Sequence, residues 1–337
     1  MKQLGPEHQI GRVVAQYRGK YRVTSQNKEF WAEVAGRVRY AANATADYPV
    51  VGDLVNIIEL GLEHAVIDEL LPRQSIIERR AAGKDESQPI AANVDTAFII
   101  QSVDRDFNLN RFERYLTIVR SAKIKPVLVM NKCDLITPDE LNDKMALMKN
   151  RFKDIPILTT SSLTGDGIDP LKSAIVPGQI HCLLGSSGVG KSSIINRLLG
   201  KELLKTLEIS AQTKKGKHTT THRELFVLDN GGMIIDNPGM REIGLAAVGG
   251  AVGEVFGDIS ALAGECKFSD CTHKNETGCA VLAAVSAGRL SESQYLNFLK
   301  LKKESDFYAL SSLEKRRKDR SFGRMVKNAK KQIKRGG

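Results

Sequence analysis

The sequence is most informative first in what it lacks. No apolar run approaches the roughly 18 residues that a membrane-crossing helix needs; residues 244–253 are uncharged but short and glycine-rich. The opening residues, Met1-Lys-Gln-Leu-Gly-Pro-Glu-His8, have no apolar signal core, so export is not expected and a cytoplasmic location is. Cysteine is scarce. Five in 337 residues cannot staple a disulfide scaffold, and three of them crowd between Cys266 and Cys279. That distribution favours a reducing compartment and a metal site. No internal repeat is visible. With 42% hydrophobic and 26% charged residues, collagen-like, coiled-coil and wholly disordered chains are excluded, and the length suits two or three domains.

Acid is missing from one place in particular. Residues 315–335 hold eleven lysines and arginines against a single Asp319, which accounts for nearly all of the net charge of +11. A solvated tail is the bland reading of such a run. Contact with a polyanion is the sharper one, because each neutralised phosphate releases counterions. RNA suits it better than a membrane, since Phe322, Met325, Val326 and Ile333 are the tail's few large apolar residues.

Residues 1–80 read as β. Strands are expected from Arg12 and from Lys20, with a hairpin turn at Arg18-Gly19 between them. Further strands are expected at Glu33–Tyr40, from Val51 and from Glu63. Five short strands predict a small closed barrel of the OB-fold type. Tyr17, Tyr21, Trp31 and Tyr40 could stack on bases there, or fill the barrel. Residues 81–93 read as a polar linker. From Thr96 to Asp236 strands alternate with helices, which predicts a mainly parallel α/β sheet. After residue 246 the pattern turns helical, most clearly at 280–287 and 291–310. The division expected is a barrel at 1–80, an α/β domain at 81–245 and a helical domain with the basic tail at 246–337.

The chemistry-bearing motifs lie in the α/β region. Gly185, Ser186, Ser187, Gly188, Val189, Gly190, Lys191 and Ser192 match the phosphate-binding loop G-x-x-x-x-G-K-[ST], between an apolar strand and a helix. Backbone N–H groups of such a loop surround phosphate oxygens, Lys191 reaches the β and γ phosphates, and Ser192 can ligate Mg²⁺. Ser193 follows in the helix start, where the dipole favours anions. Asn131-Lys132-Cys133-Asp134 selects the base: a carboxylate accepts the paired N1–H and N2–H₂ donors of guanine, which adenine lacks. Ser161 and Ser162 sit where a backbone N–H can meet guanine O6. Asp236-Asn-Pro-Gly239 fits D-x-x-G, with Asp236 near Mg²⁺ and the Gly239 N–H near the γ-phosphate. Between these lies Lys215-Gly-Lys-His-Thr-Thr-Thr-His222. One of Thr219, Thr220 or Thr221 is expected to complete the Mg²⁺ shell, Thr220 standing for the three.

Motif order carries further information. The base-reading elements precede the phosphate loop, whereas Ras-like GTPases place the phosphate loop first. The chain is a circular permutation, which is allowed where the original termini lie close together. Met240 follows D-x-x-G, and a thioether cannot orient an attacking water. Slow intrinsic turnover is therefore expected, with His218 the candidate to position water and His222 the other histidine of that loop.

Cys266, Cys271, His273 and Cys279 provide three thiolates and an imidazole, the ligand set of a closed structural Zn²⁺ site. Cys133 and Cys182 read as small apolar fillers.

Taken together, these motifs resemble the bacterial ribosome small-subunit-dependent GTPase A family, a branch of the circularly permuted GTPases. The likeness rests on the motif order, the Lys217-His-Thr-Thr-Thr loop and the Cys-Cys-His-Cys spacing, and it spans nearly the whole chain. Two positions depart from the pattern: Asn237 stands where threonine is common and Lys217 where arginine is. The resemblance implies a GTPase bound to and activated by the small ribosomal subunit, with its rRNA as partner, acting late in that subunit's maturation as a monomer. The other reading is a GTP-regulated RNA-binding module in which hydrolysis is only a slow release timer. A small-molecule kinase would need its own acid–base constellation, and none stands out.

Overall fold

The computed structural model describes residues 8–80, 87–104, 107–200, 223–236, 248 and 250–309. The chain forms two compact units, Met1–Gly244 and Leu245–Gly337.

The first unit opens with five strands: β1 (His8–Gln16), β2 (Tyr21–Ser25), β3 (Lys28–Val34), β4 (Leu54–Glu59) and β5 (His64–Leu70). Neighbours run β1-β2-β3-β5-β4, and β4 pairs back onto β1, so the sheet closes into the expected OB-like barrel. Alternation along each strand supplies the interior. Val13, Val23, Phe30, Ala32, Val55, Ile57 and Ile67 are buried there. Tyr21 is buried among them, while Tyr17 and Trp31 are half-exposed and Tyr40 is 94% exposed. Of the four aromatics, then, one belongs to the core.

Two expectations are corrected. Glu33–Tyr40 is not a strand. β3 ends at Val34, and Gly36–Ala41 forms a short helix, α1. Val34 and Val38 both pack on the barrel core, a spacing of four that suits a strand as well as a helical turn. Here Arg39 N–H donates to the Ala35 carbonyl at 3.1 Å and Ala42 N–H to the Val38 carbonyl at 3.0 Å, which closes helical turns. Nor is 81–93 all linker: Ser87–Ala92 is a strand, β7, paired antiparallel with β6 (Ile76–Arg80). Its apolar end drives this, with Ile90, Ala91 and Ala92 all at most 1% exposed.

The α/β part follows the expected alternation. It comprises β8 (Thr96–Ser102), α2 (Leu109–Ser121), β9 (Lys125–Asn131), α3 (Pro138–Arg151), β10 (Ile157–Thr159), α4 (Ile168–Ser173), β11 (Ile180–Leu184), α5 (Lys191–Leu199), β12 (Arg223–Val227) and β13 (Met233–Asp236). Every residue of β8 is buried, as its continuous apolar run requires. α2 starts at Asn108, whose side chain caps Arg111 N–H at 3.2 Å. α3 starts with a Thr137/Glu140 capping box and Pro138 in its first turn. Strand order is β10-β9-β8-β11-β13-β12, parallel except for β12, which is antiparallel to β13. Phe98, Ile100, Leu183, Ile194, Ile195 and Ile234 form the core beneath the site.

The two sheets are continuous. β12 pairs on its outer side with the end of β1, Ala15 opposite Glu224 and Gln16 opposite Arg223, giving one 11-stranded sheet. β1 thus divides its ladder, its first half pairing with β4 and its last two residues with β12.

The second unit contains α6 (Ala251–Val255), α7 (Gly257–Ala263), α8 (Ala280–Ser286) and α9 (Glu292–Ala309). Phe256, Ile259, Val281, Leu290, Phe298 and Leu301 are buried in it. The basic tail lies outside the described residues. No helix among the described residues is long and apolar enough to cross a membrane.

Candidate functional site

The phosphate loop spans the end of β11 and the start of α5, pressed against the neighbouring strand. A Cβ on Gly185 would lie 2.3 Å from the Ile100 carbonyl oxygen of β8. Gly190 has φ +96°, a left-handed conformation that favours glycine. Lys191 Nζ donates to the carbonyls of Gly185 (2.8 Å) and Ser186 (2.7 Å), and Arg111 Nη1 of α2 donates to Ser186 Oγ at 3.1 Å. Ser187 and Gly188 complete the turn, and Val189 is buried. Ser192 and Ser193 stand in the first turn of α5, which has no side-chain cap. First-turn N–H groups have no intrahelical acceptor and, with the helix dipole, could receive an anion.

Asn131 ties this loop to the end of β9 and to the serine loop. It is fully buried at the end of β9. Its Nδ2 donates to the Val189 carbonyl at 2.8 Å, and its Oδ1 accepts from Thr160 Oγ1 at 3.0 Å and from Ser162 N–H at 3.2 Å. One amide side chain therefore joins the phosphate loop, β9 and the serine loop. Lys132 follows with φ +64°, a left-handed turn in a non-glycine residue, and reverses the chain so that Asp134 comes alongside Ser161. Ser161 Oγ donates to Asp134 Oδ1, fixing one carboxylate oxygen and leaving the other for a ligand. Cys133 is half-buried with its Sγ near the Met130 carbonyl at 3.3 Å, and burial raises its thiol pKa. Like Cys182, whose pKa full burial also raises, it behaves as a filler.

The serine loop is held from behind. Arg197 of α5 donates to the carbonyls of Ser162 (2.9 Å) and Leu163 (2.6 Å). Ser161 N–H is already bonded to the Asp166 carbonyl at 2.8 Å. Of the two nominated serines, Ser162 has the longer N–H contact, the one more readily shared with a base oxygen. Arg111 and Arg197 were not apparent as site residues in the sequence, because a lone helical arginine looks like any solvated one.

Asp236 ends β13 and is 5% exposed. Burial raises its pKa to about 6, against the pull of Lys191 in the other direction. Gly239, His218 and Thr220, with Thr219, Thr221, His222 and Met240, lie outside the described residues.

In the second unit the donor atoms of Cys266, Cys271, His273 and Cys279 all lie within 4.8 Å of one another and could hold a metal ion. His273 Nδ1 is 3.6 Å from Cys266 Sγ and 3.5 Å from Cys279 Sγ, and those sulfurs are 3.9 Å apart. Thiolates about 2.3 Å and an imidazole about 2.0 Å from a tetrahedral ion would be separated by roughly 3.5–3.8 Å. The donors fit. Tyr295 Oη donates to the His273 carbonyl at 2.6 Å, and Leu282 N–H approaches Cys279 Sγ at 3.4 Å, so helices α9 and α8 orient two of the ligands.

A family model described as RsgA GTPase matches residues 70–246. A Lactiplantibacillus plantarum protein named small ribosomal subunit biogenesis GTPase RsgA 2 is 41% identical over 327 residues, covering 96% of this chain and 91% of its own. A Bacteroides thetaiotaomicron protein named small ribosomal subunit biogenesis GTPase RsgA 1 is 39% identical over 323 residues, covering 95% and 90%. Among solved structures, YjeQ from Thermotoga maritima is similar with a TM-score of 0.66 at 27% identity, over 88% of this chain and 98% of that one. YloQ, described as a circularly permuted GTPase, is similar in fold, with a TM-score of 0.64 at 22% identity over 92% and 99%.

Proposed function

The chain belongs to the RsgA GTPase family, and on that premise we propose that it hydrolyses GTP to GDP and phosphate in the biogenesis of the small ribosomal subunit, which stimulates its turnover late in maturation. The observation that carries this is the Asn131 side chain, which joins the phosphate loop at Val189 to the serine loop at Thr160 and Ser162, whose neighbour Ser161 holds the Asp134 carboxylate.

The residues divide the work by chemistry. The Asp134 carboxylate accepts from guanine N1–H and N2–H₂, the oxygen held by Ser161 keeping a lone pair for one of them, and adenine is rejected because it offers no such pair of donors. Ser162 N–H meets O6, and the Lys132 stem covers the base. Gly185 to Gly190 wrap the phosphates in backbone N–H groups. Lys191 leaves its two carbonyl acceptors for phosphate oxygens, a charge-assisted exchange. Ser192 and Asp236, with one of Thr219 to Thr221, would hold Mg²⁺, which neutralises charge shared between the β and γ phosphates. His218 positions the attacking water that Met240 cannot, and Gly239 N–H meets the γ-phosphate.

Division of labour follows domain by domain. The barrel at 1–80 contacts rRNA, 81–245 binds and hydrolyses GTP, and 246–337 holds Zn²⁺ and presents the basic tail. Four protein ligands leave no open coordination position, so the zinc serves structure. The acting form is a cytoplasmic monomer, since assembly of the ribosomal subunit supplies its partner there.

The test is GTP turnover by the purified protein alone and with small ribosomal subunits, with ATP and large subunits as controls. Stimulation by small subunits alone supports the reading. Binding without stimulation favours the slow release timer instead.

A further inference from the structure

One row of residues crosses three strands from the barrel to the nucleotide site. Ala15 of β1 lies opposite Glu224 of β12, and Glu224 lies opposite Asp236 of β13. With neighbouring strands about 4.8 Å apart, the barrel's first strand comes within about 10 Å of Asp236 through two backbone ladders.

The joint is tied on both sides of this row. Gln16 lies opposite Arg223, whose Nη1 approaches both Gln16 Oε1 and the Pro89 carbonyl of β7 at 3.3 Å. Behind it, Gly52 packs so tightly that a Cβ would lie 2.1 Å from the Ala92 carbonyl oxygen and 3.4 Å from Ile235 Cδ1 of β13. Arg12 Nη1 and Asn93 Nδ2 both donate to the Gly52 carbonyl, at 3.0 and 3.1 Å. Among the described residues the β1–β12 ladder has two residue pairs, where β1–β4 has five.

The barrel end of the row carries a stacking platform. Tyr17 follows Gln16 directly, and its ring centroid is 5.2 Å from that of Trp31. The Arg22 guanidinium lies 4.9 Å from the Trp31 ring centroid. Half-exposed aromatic rings beside a cation form a surface on which an unpaired base stacks.

We propose that nucleic acid seated on Tyr17, Trp31 and Arg22 is coupled to the GTP site through the row Ala15–Glu224–Asp236, with Arg223 the positioning residue that holds its register. This rests on the function proposed above and adds its regulation. Arg223 directly follows the threonine loop in sequence, and Asp236 opens D-x-x-G, so the β12–β13 hairpin carries both segments that answer to the γ-phosphate. A ligand that shifts the end of β1 makes or unmakes the β1–β12 pairs and so moves β12 against β13. Linkage then requires the nucleotide to change the barrel's affinity by the same factor.

The test uses the full chain and purified small ribosomal subunits, whose affinity is measured with GDP and with a non-hydrolysable GTP analogue. The natural protein should distinguish the two states by about tenfold. Arg223→Ala should reduce that ratio to under about threefold while leaving turnover without subunits within about twofold of the natural protein. Gln16→Ala should have the same effect and add nothing in the double variant, because both residues serve one contact. It also stands in should Arg223→Ala fail to fold. Replacing Lys315, Arg316, Arg317 and Lys318 by glutamine should weaken binding yet keep the ratio. A full ratio in folded Arg223→Ala and Gln16→Ala overturns the coupling alone, as does a ratio of one in the natural protein. Absence of any subunit binding by the natural protein overturns the proposed function, and the coupling with it.

Discussion

The side chain of Asn131 occupies the space that a methyl group on Gly190 would need: a Cβ there would lie 2.3 Å from Asn131 Nδ2. The phosphate loop and the end of β9 are therefore in contact through a glycine that leaves room for an amide.

Gly190→Ala should displace Asn131 and strain a backbone at φ +96°. With strain of about 1–3 kcal/mol at such a position, guanine nucleotide affinity should fall at least tenfold, to order of magnitude. Titration with a fluorescent GDP analogue checks this, with thermal unfolding run alongside. Unaltered affinity in a folded variant would show that Asn131 can move without cost.

Asp134→Asn should change the base that is accepted. Ser161 Oγ donates to one oxygen of this group, so the asparagine oxygen stays there and its NH₂ faces the base. Guanine then meets a donor where it needs an acceptor, and affinity should drop by about 100-fold or more. Xanthine, which has an oxygen in place of the guanine amino group, should gain. Competition between GTP and xanthosine triphosphate reads the exchange directly.

Asp236 should make the stability of the nucleotide-free protein depend on pH. Its pKa rises from 3.8 to about 6 in the folded state, through burial. The folded chain therefore keeps a proton that the unfolded chain has already released between those values. The stabilisation is full below the unfolded pKa and is lost as pH rises through about 6, a change of about 3 kcal/mol. Asp236→Asn removes this slope, so urea unfolding should show the variant gaining on the natural protein from pH 4 to pH 7, while its GTP hydrolysis is lost. Parallel stability profiles for the two proteins would refute the assignment.

Removal of the proposed zinc should unfold the second unit. Tetrahedral thiolate–imidazole sites can contribute folding energy on the order of 10 kcal/mol. Cys271→Ser should abolish stoichiometric zinc in elemental analysis and remove the helical signal of α6 to α9. A metal-free Cys271→Ser protein with full helicity would show that Phe256, Phe298 and their neighbours suffice to hold this unit.

Much of the site was legible because its motifs are contiguous. Gly185 to Ser192 and Asn131 to Asp134 each put their chemistry within a few residues, next to apolar strands that announce themselves. The Cys-Cys-His-Cys cluster is local in the same way. Two kinds of feature escaped. Val34 and Val38 fit a strand or a helical turn over so short a stretch, and only the barrel core decides between them. Contacts between distant parts leave no local trace: Arg111 on Ser186, Arg197 on Ser162, and above all Gln16 beside Arg223, which are 207 residues apart.

That last separation bears on how the molecule is made. At about 5–20 residues per second, roughly 10–40 s of synthesis pass between the appearance of Gln16 and that of Arg223. The five barrel strands are complete well before then, closed by β1–β4 pairing alone. Meanwhile the end of β1 presents an unpaired edge, the kind of surface on which strands of other chains can add. The nascent barrel must wait, correctly folded but with its last two rungs open, for a hairpin that arrives after the phosphate loop.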